Sequence, residues 1–305
     1  MEQGDHVAAL NGLKAWFKVR GNGPVCLFPT PGWGASSDIY FETLEPLERF
    51  FTVVYLDTRG CGRSQRLLSD EQLQLDHFLS DLDELRKLLG ESSVWVMGHS
   101  LGGLLAQAFA LRYPATCSGL ILLSSSAAID DNDLEDEAMR RQRRSGEPWF
   151  AAANAAANRE DDIATDEEFG RYLATIMPFY FHDVSKLPAS LFERGTYAID
   201  AYRMMKINAD ELGHGILERL GEIIAPTVIV VGDDDFICST VQAARIHMRI
   251  KGSKLVLIEQ AGHFPWIEQP EAFYAGLQEA LAAVGGTGFA PAAVGRLDSA
   301  FAQGV

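Results

Sequence analysis

Six short apolar runs recur along the chain, at residues 25–28, 52–56, 94–97, 120–123, 227–231 and 255–258, and each enters a loop rich in Gly, Pro or Asp. Most are β-branched and continuous rather than alternating, which is the pattern of a strand covered on both faces. Helical patterns lie between several of them. Over residues 76–89, Phe78, Leu79, Leu82, Leu85, Leu88 and Leu89 fall on one stripe. Another helical pattern, over residues 101–113, follows the run at 94–97 after a single tight turn. Strands buried on both faces and alternating with helices predict an α/β fold with a mostly parallel sheet.

The alternation stops between about residues 126 and 225, where no convincing buried strand occurs. This stretch opens with Asp130, Asp131, Asp133, Glu135, Asp136 and Glu137, followed by Arg140, Arg141, Arg143 and Arg144. Asp136 with Arg140, and Glu137 with Arg141, stand four apart with the acid first, the favourable order on a helix. These charges are expected to form a solvated helix face. The chain therefore divides into a core of residues 1–125 and 223–284, a helical insertion at 126–222, and a loose glycine-containing extension at 285–305.

The segment joining the run at 94–97 to the next helix carries the chemistry. It reads Gly98-His99-Ser100-Leu101-Gly102, a G-x-S-x-G motif on a strand-to-helix turn. A nucleophile on such a turn needs small neighbours two residues away on either side, and Gly98 and Gly102 meet that demand. The helix N-terminus behind Ser100 favours developing negative charge. A serine hydroxyl requires a base, and the base requires an orienting carboxylate. Downstream, the run at 227–231 ends in Gly232-Asp233-Asp234-Asp235, and the run at 255–258 is followed by Gly262-His263-Phe264. Both polar groups thus lie beyond the carboxyl ends of neighbouring strands, on the sheet edge that also holds Ser100.

The chain resembles the α/β-hydrolase superfamily over roughly residues 10–284. The nucleophile motif, the order Ser, Asp, His and the loop Asp57-Thr58-Arg59-Gly60-Cys61-Gly62-Arg63-Ser64 carry the resemblance. The nearest branch holds proline iminopeptidases, lactonases and esterases. The resemblance implies an α/β-hydrolase fold with a helical cap, a catalytic acid at the fourth position of G-x-x-D, which is Asp235, and a serine hydrolase with Ser100 as nucleophile and His263 as base. The loop at residues 57–64 is read as structural. Two departures bear on substrate. Phe28-Pro29-Thr30-Pro31-Gly32 stands where His-Gly-x-Pro-Gly is usual, and Leu101 follows Ser100 where proline iminopeptidases carry Trp. Proline has no N–H, so Thr30 is the one backbone donor between Phe28 and Gly32; with Leu101 it is expected to form the oxyanion hole, Trp33 or Gly34 being the alternative.

These features predict a cofactor-free enzyme with no metal, cleaving a small ester or lactone through an acyl-enzyme. The alternative is a proline-iminopeptidase-like aminopeptidase or amidase; the aminopeptidase would need insertion carboxylates such as Asp200, Asp210 or Glu211 for a substrate amine. A non-catalytic ligand-binding homologue is the third reading, and the intact Ser, His and Asp set argues against it. Acidic residues number 42 against 26 basic ones, which excludes nucleic acid and anionic membranes as expected partners. Four dispersed cysteines with no C-x-x-C pair fit reduced thiols in a cytoplasmic protein. The partner expected is a small-molecule ester, lactone or amide, with a homo-oligomer left open.

Overall fold

The computed structural model describes residues 2–30, 34–67, 70–191 and 195–285. Eight strands form one sheet: β1 (Gly4–Leu10), β2 (Leu13–Gly21), β3 (Val25–Pro29), β4 (Thr52–Asp57), β5 (Val94–His99), β6 (Cys117–Leu123), β7 (Thr227–Gly232) and β8 (Lys254–Ile258). Their order is β1-β2-β4-β3-β5-β6-β7-β8. The strands from β4 to β8 pair in parallel, whereas β1 with β2 and β2 with β4 are antiparallel. Each of the six apolar runs lies within one of the strands β3 to β8. Strands β5 and β7 are buried at every residue, as continuous apolar runs require.

The antiparallel hairpin β1–β2 was not among the expected strands. Its first strand alternates half-buried and exposed residues, because one face meets solvent at the sheet edge. Helices Leu75–Leu88 and Leu101–Arg112 form where the periodicity placed them. The chain order reverses between β4, β3 and β5, and such a switch point opens a crevice at the carboxyl ends of the strands. Ser100 follows β5 directly at that crevice.

Between β6 and β7 the described residues form helices Asp131–Arg143, Phe150–Ala157, Asp166–Ile176 and Ile199–Arg219 with short 3-10 turns, and no strand. Two of these helices start with reciprocal capping boxes, Asp130 with Asp133 and Thr165 with Glu168. The acidic run is not wholly a solvated face. Asp133 is 7% exposed and accepts two hydrogen bonds from Arg245 of the core helix Thr240–Arg249, at 2.9 and 3.1 Å. Arg144 donates to the carbonyls of Phe181 and His182 at 2.6 and 2.8 Å. These charges tie the insertion to itself and to the core instead of facing water.

The loop at residues 57–64 is a structural corner. Buried Asp57 accepts hydrogen bonds from the Ser37 N–H and hydroxyl and from the Arg63 N–H and Nε. Arg59 makes a bidentate pair with Asp81, both bonds 2.7 Å. All four cysteines are free and buried. Of the expected extension at 285–305, every residue after Gly285 lies outside the described residues.

Candidate active site

Ser100 sits between β5 and helix Leu101–Arg112 with φ 56° and ψ −131°. A non-glycine residue in this left-handed region is strained, and such strain persists where the surrounding structure holds it. Here the hold is close backbone packing. A Cβ at Gly98 would lie 2.2 Å from the Gly102 carbonyl oxygen and 2.5 Å from the Gly103 Cα, so only glycine fits. The Ser100 N–H donates to the Leu123 and Ser124 carbonyls at the end of β6, both at 3.1 Å, and its own carbonyl accepts the Ser125 hydroxyl at 2.9 Å. The turn is thus clamped from both sides. The Leu101 N–H is the first of its helix and has no intrahelical acceptor, which leaves it directed at whatever lies before the helix end.

His263 and Asp235 meet at the ends of β8 and β7. The His263 Nδ1–H donates to Asp235 Oδ2 at 2.8 Å, and both side chains are fully buried. The other carboxylate oxygen of Asp235 accepts the N–H groups of Ile237 and Cys238, at 3.1 and 2.9 Å, which fixes the plane of the group. Its two neighbours face elsewhere. Asp233 Oδ1 accepts the Ala261 N–H at 3.3 Å, and Asp234 pairs with His182 at 3.0 Å and Arg144 at 3.6 Å. Of the three adjacent aspartates, Asp235 is the one brought to His263.

Several neighbours of these residues were not legible in the motifs. His99 Nδ1 bonds the Tyr40 hydroxyl at 3.0 Å and its Nε2 the His263 carbonyl at 3.1 Å. A carbonyl only accepts, so His99 carries its proton on Nε2, and burial, joined by His263, holds its pKa well below the usual value. Burial and then the Asp235 charge push the buried Cys238 thiol up. The rings of Tyr180 and Phe264 stand edge-on to His263, with centroids 5.2 and 5.6 Å away.

Thr30 departs from expectation. Its N–H donates to the Leu56 carbonyl at 2.9 Å, extending the β3–β4 ladder by one bond, and its hydroxyl bonds Thr58 at 2.6 Å. An N–H committed to the sheet does not point at a reacting carbonyl, so Thr30 is not placed as an oxyanion donor. Of the alternatives, Pro31, Gly32 and Trp33 lie outside the described residues, while Gly34 is left-handed (φ 63°) and packs against Ala198.

The insertion holds two partly buried carboxylates, and neither is an expected one. Glu160 accepts hydrogen bonds from Tyr202 (2.6 Å), Lys206 (2.7 Å) and Tyr172 (3.1 Å). Burial opposes its ionisation, but these donors outweigh burial and hold its carboxyl below the usual range. Glu137, 3.8 Å from Arg141, is pushed up by burial, and its charge acts on both Tyr180 and Cys238. Asp200 is exposed, and the side chains of Asp210 and Glu211 lie outside the described residues. Among the described residues no group of three or more His, Cys, Asp or Glu side chains is placed to hold a metal ion, and no helix is long and apolar enough to cross a membrane.

A sheet of this order with a serine on the strand-to-helix turn after β5 defines an α/β-hydrolase architecture. The family model described as "alpha/beta hydrolase fold" matches residues 24–270, and the chain belongs to that family. Proline iminopeptidase from Saccharolobus solfataricus is 28% identical over 276 residues, covering 86% of both chains. The enzyme of the same name from Thermoplasma volcanium is 26% identical, covering 79% of this chain and 83% of its own. Human 1-acylglycerol-3-phosphate O-acyltransferase ABHD5 is also 26% identical, over 72% of this chain and 67% of its own. Among solved structures, the proline iminopeptidase-related protein TTHA1809 from Thermus thermophilus superposes with a TM-score of 0.71 at 21% identity, covering 93% of this chain and 99% of its own. At that identity it shares the fold.

Proposed function

We propose that the protein is a serine hydrolase that cleaves a small ester or lactone through an acyl-enzyme. The observation that carries the reading is the fully buried 2.8 Å His263–Asp235 bond at the sheet edge where strained Ser100 emerges. In this reading His263 takes the Ser100 proton as the hydroxyl attacks the substrate carbonyl, and Asp235 holds the imidazole and stabilises its charged form. The Leu101 N–H stabilises the oxyanion. His263 then protonates the leaving group, and water releases the acyl chain by the same steps in reverse. The helical insertion at 126–222 acts as a cap that selects the substrate, since its Tyr180 ring stands edge-on to His263.

A second reading has its own support. Glu137 and Glu160 put two partly buried carboxylates in the insertion, their charge helping to raise the Tyr180 hydroxyl, and a substrate amine would find a partner in either; two relatives are named proline iminopeptidases. An N-terminal aminopeptidase would use the same nucleophile, with the amine held by the cap. A panel of p-nitrophenyl esters, homoserine lactones and proline p-nitroanilide separates the two. Turnover of esters or lactones alone supports the first reading, and turnover of the anilide with no ester or lactone cleavage contradicts it. Glu137→Gln is expected to leave KM for neutral esters within two-fold. If the anilide is a substrate, the variant should raise its KM by about ten-fold or more, as expected of a hydrogen bond to a charged group. An unchanged anilide KM would remove Glu137 from amine recognition.

A further inference from the structure

The loop carrying His263 is held from the insertion as well as from the sheet. The His263 N–H donates to the Tyr180 carbonyl at 2.8 Å, and a Cβ at Gly262 would lie 2.4 Å from that same oxygen. The two backbones approach so closely that only glycine fits at position 262. Between them lies Glu268, 1% exposed, at the end of the short helix Pro265–Glu268. Its Oε2 accepts the Gly262 N–H at 2.6 Å, and its Oε1 accepts the Asp183 N–H at 2.8 Å. One buried carboxylate therefore joins the residue before the base to the insertion segment 180–183.

We propose that Glu268 is a positioning residue for His263, its carboxylate locking the Gly262–His263 backbone to the insertion so that the imidazole is held in register with Ser100. The proposal rests on the reading of His263 as the general base. It gains weight from what else anchors the segment. Arg144 holds the Phe181 and His182 carbonyls, the His182 ring pairs with Asp234, and Lys186 Nζ donates to the Glu268 backbone carbonyl at 2.6 Å. The insertion thus stays docked without the Glu268 side chain. The Gly262 N–H does not have that redundancy: among the described residues its acceptor is the Glu268 carboxylate. Both oxygens of a carboxylate can accept an N–H. A carboxamide at the same place offers one acceptor and turns an NH₂ group towards the other N–H. Glu268→Gln therefore loosens one of the two anchors while preserving volume.

The test uses the full chain and a small p-nitrophenyl ester, with kcat expressed per active site titrated by the acylation burst. Glu268→Gln is expected to lower kcat by about 10- to 100-fold, the scale on which a misplaced catalytic group acts, with KM within two-fold. In a His263→Ala background the same change should lower residual turnover by less than two-fold, because a residue acting through His263 has nothing left to position. Wild-type kcat in Glu268→Gln, or an equal loss in both backgrounds, would overturn the proposal and leave Glu268 a structural residue. Should the glutamine chain not fold, Glu268→Asp, which draws both acceptor oxygens back by one methylene, carries the same expectations and the same contradicting outcomes. His263→Ala serves as the control for the underlying reading. If it turns over like wild type, the base assignment fails; if it is inactive while Glu268→Gln is unimpaired, only the positioning role fails.

Discussion

Ser100→Ala is expected to lower kcat for a p-nitrophenyl ester by about 10⁶-fold, to the residual rate that binding and oxyanion contacts supply without a nucleophile. At 1.36 kcal/mol per decade this amounts to about 8 kcal/mol of lost transition-state stabilisation. The fold should survive the change. The Ser100 backbone carries the hydrogen bonds to Leu123, Ser124 and Ser125, and alanine keeps all of them. Alanine retains the left-handed backbone at φ 56°, a strain the parent chain already carries, so the change should cost little thermal stability. Steady-state kinetics and circular dichroism together check this. A folded alanine variant within ten-fold of wild type would remove Ser100 from the chemistry.

The second large effect is at the acid. Asp235→Asn replaces the acceptor of the His263 Nδ1–H with a group that can present an NH₂ instead, which selects the wrong imidazole tautomer. The expected loss in kcat is about 10⁴-fold. The neighbouring aspartates form an internal control. Asp233→Asn keeps an oxygen for the Ala261 N–H, and Asp234→Asn weakens contacts to His182 and Arg144 on the outer side of the loop. Both variants should stay within about ten-fold of wild type, well short of the Asp235 loss. If either proves as damaging as Asp235→Asn, the loop orients His263 differently from the arrangement described.

The parallel half of the sheet was legible because strands buried on both faces leave a signature that local sequence carries unaided. The nucleophile turn was legible for a similar reason: the Gly98 position tolerates no Cβ, so the glycine needed by the backbone is written in the chain. Hairpin β1–β2 was missed because its alternation resembles an ordinary amphipathic surface segment. Thr30 misled in a more instructive way. Counting prolines shows which residues possess an N–H, but not which N–H groups the sheet consumes, and the β3–β4 ladder takes that of Thr30. The insertion carboxylates were illegible because helix packing within it depends on tertiary contacts. A signal did exist. Asp136 and Glu137 are adjacent on one helix and so point about 100° apart. Two acid–base pairs launched from them spread over a wide arc of the helix, and both acids end up only about a quarter exposed, Asp136 at 26% and Glu137 at 25%. Glu268 had a comparable signal, as an acid following the apolar Phe264-Pro265-Trp266-Ile267.

If Ser100 is the activated hydroxyl, covalent labelling shows it directly. Purified protein is treated with a small fluorophosphonate, weighed intact by mass spectrometry, digested and sequenced by fragmentation. A single adduct per chain is expected, located on Ser100, formed at a rate that falls steeply in His263→Ala and absent in Ser100→Ala. An adduct of one per chain on any other residue, or persistence of labelling in folded Ser100→Ala, would contradict it.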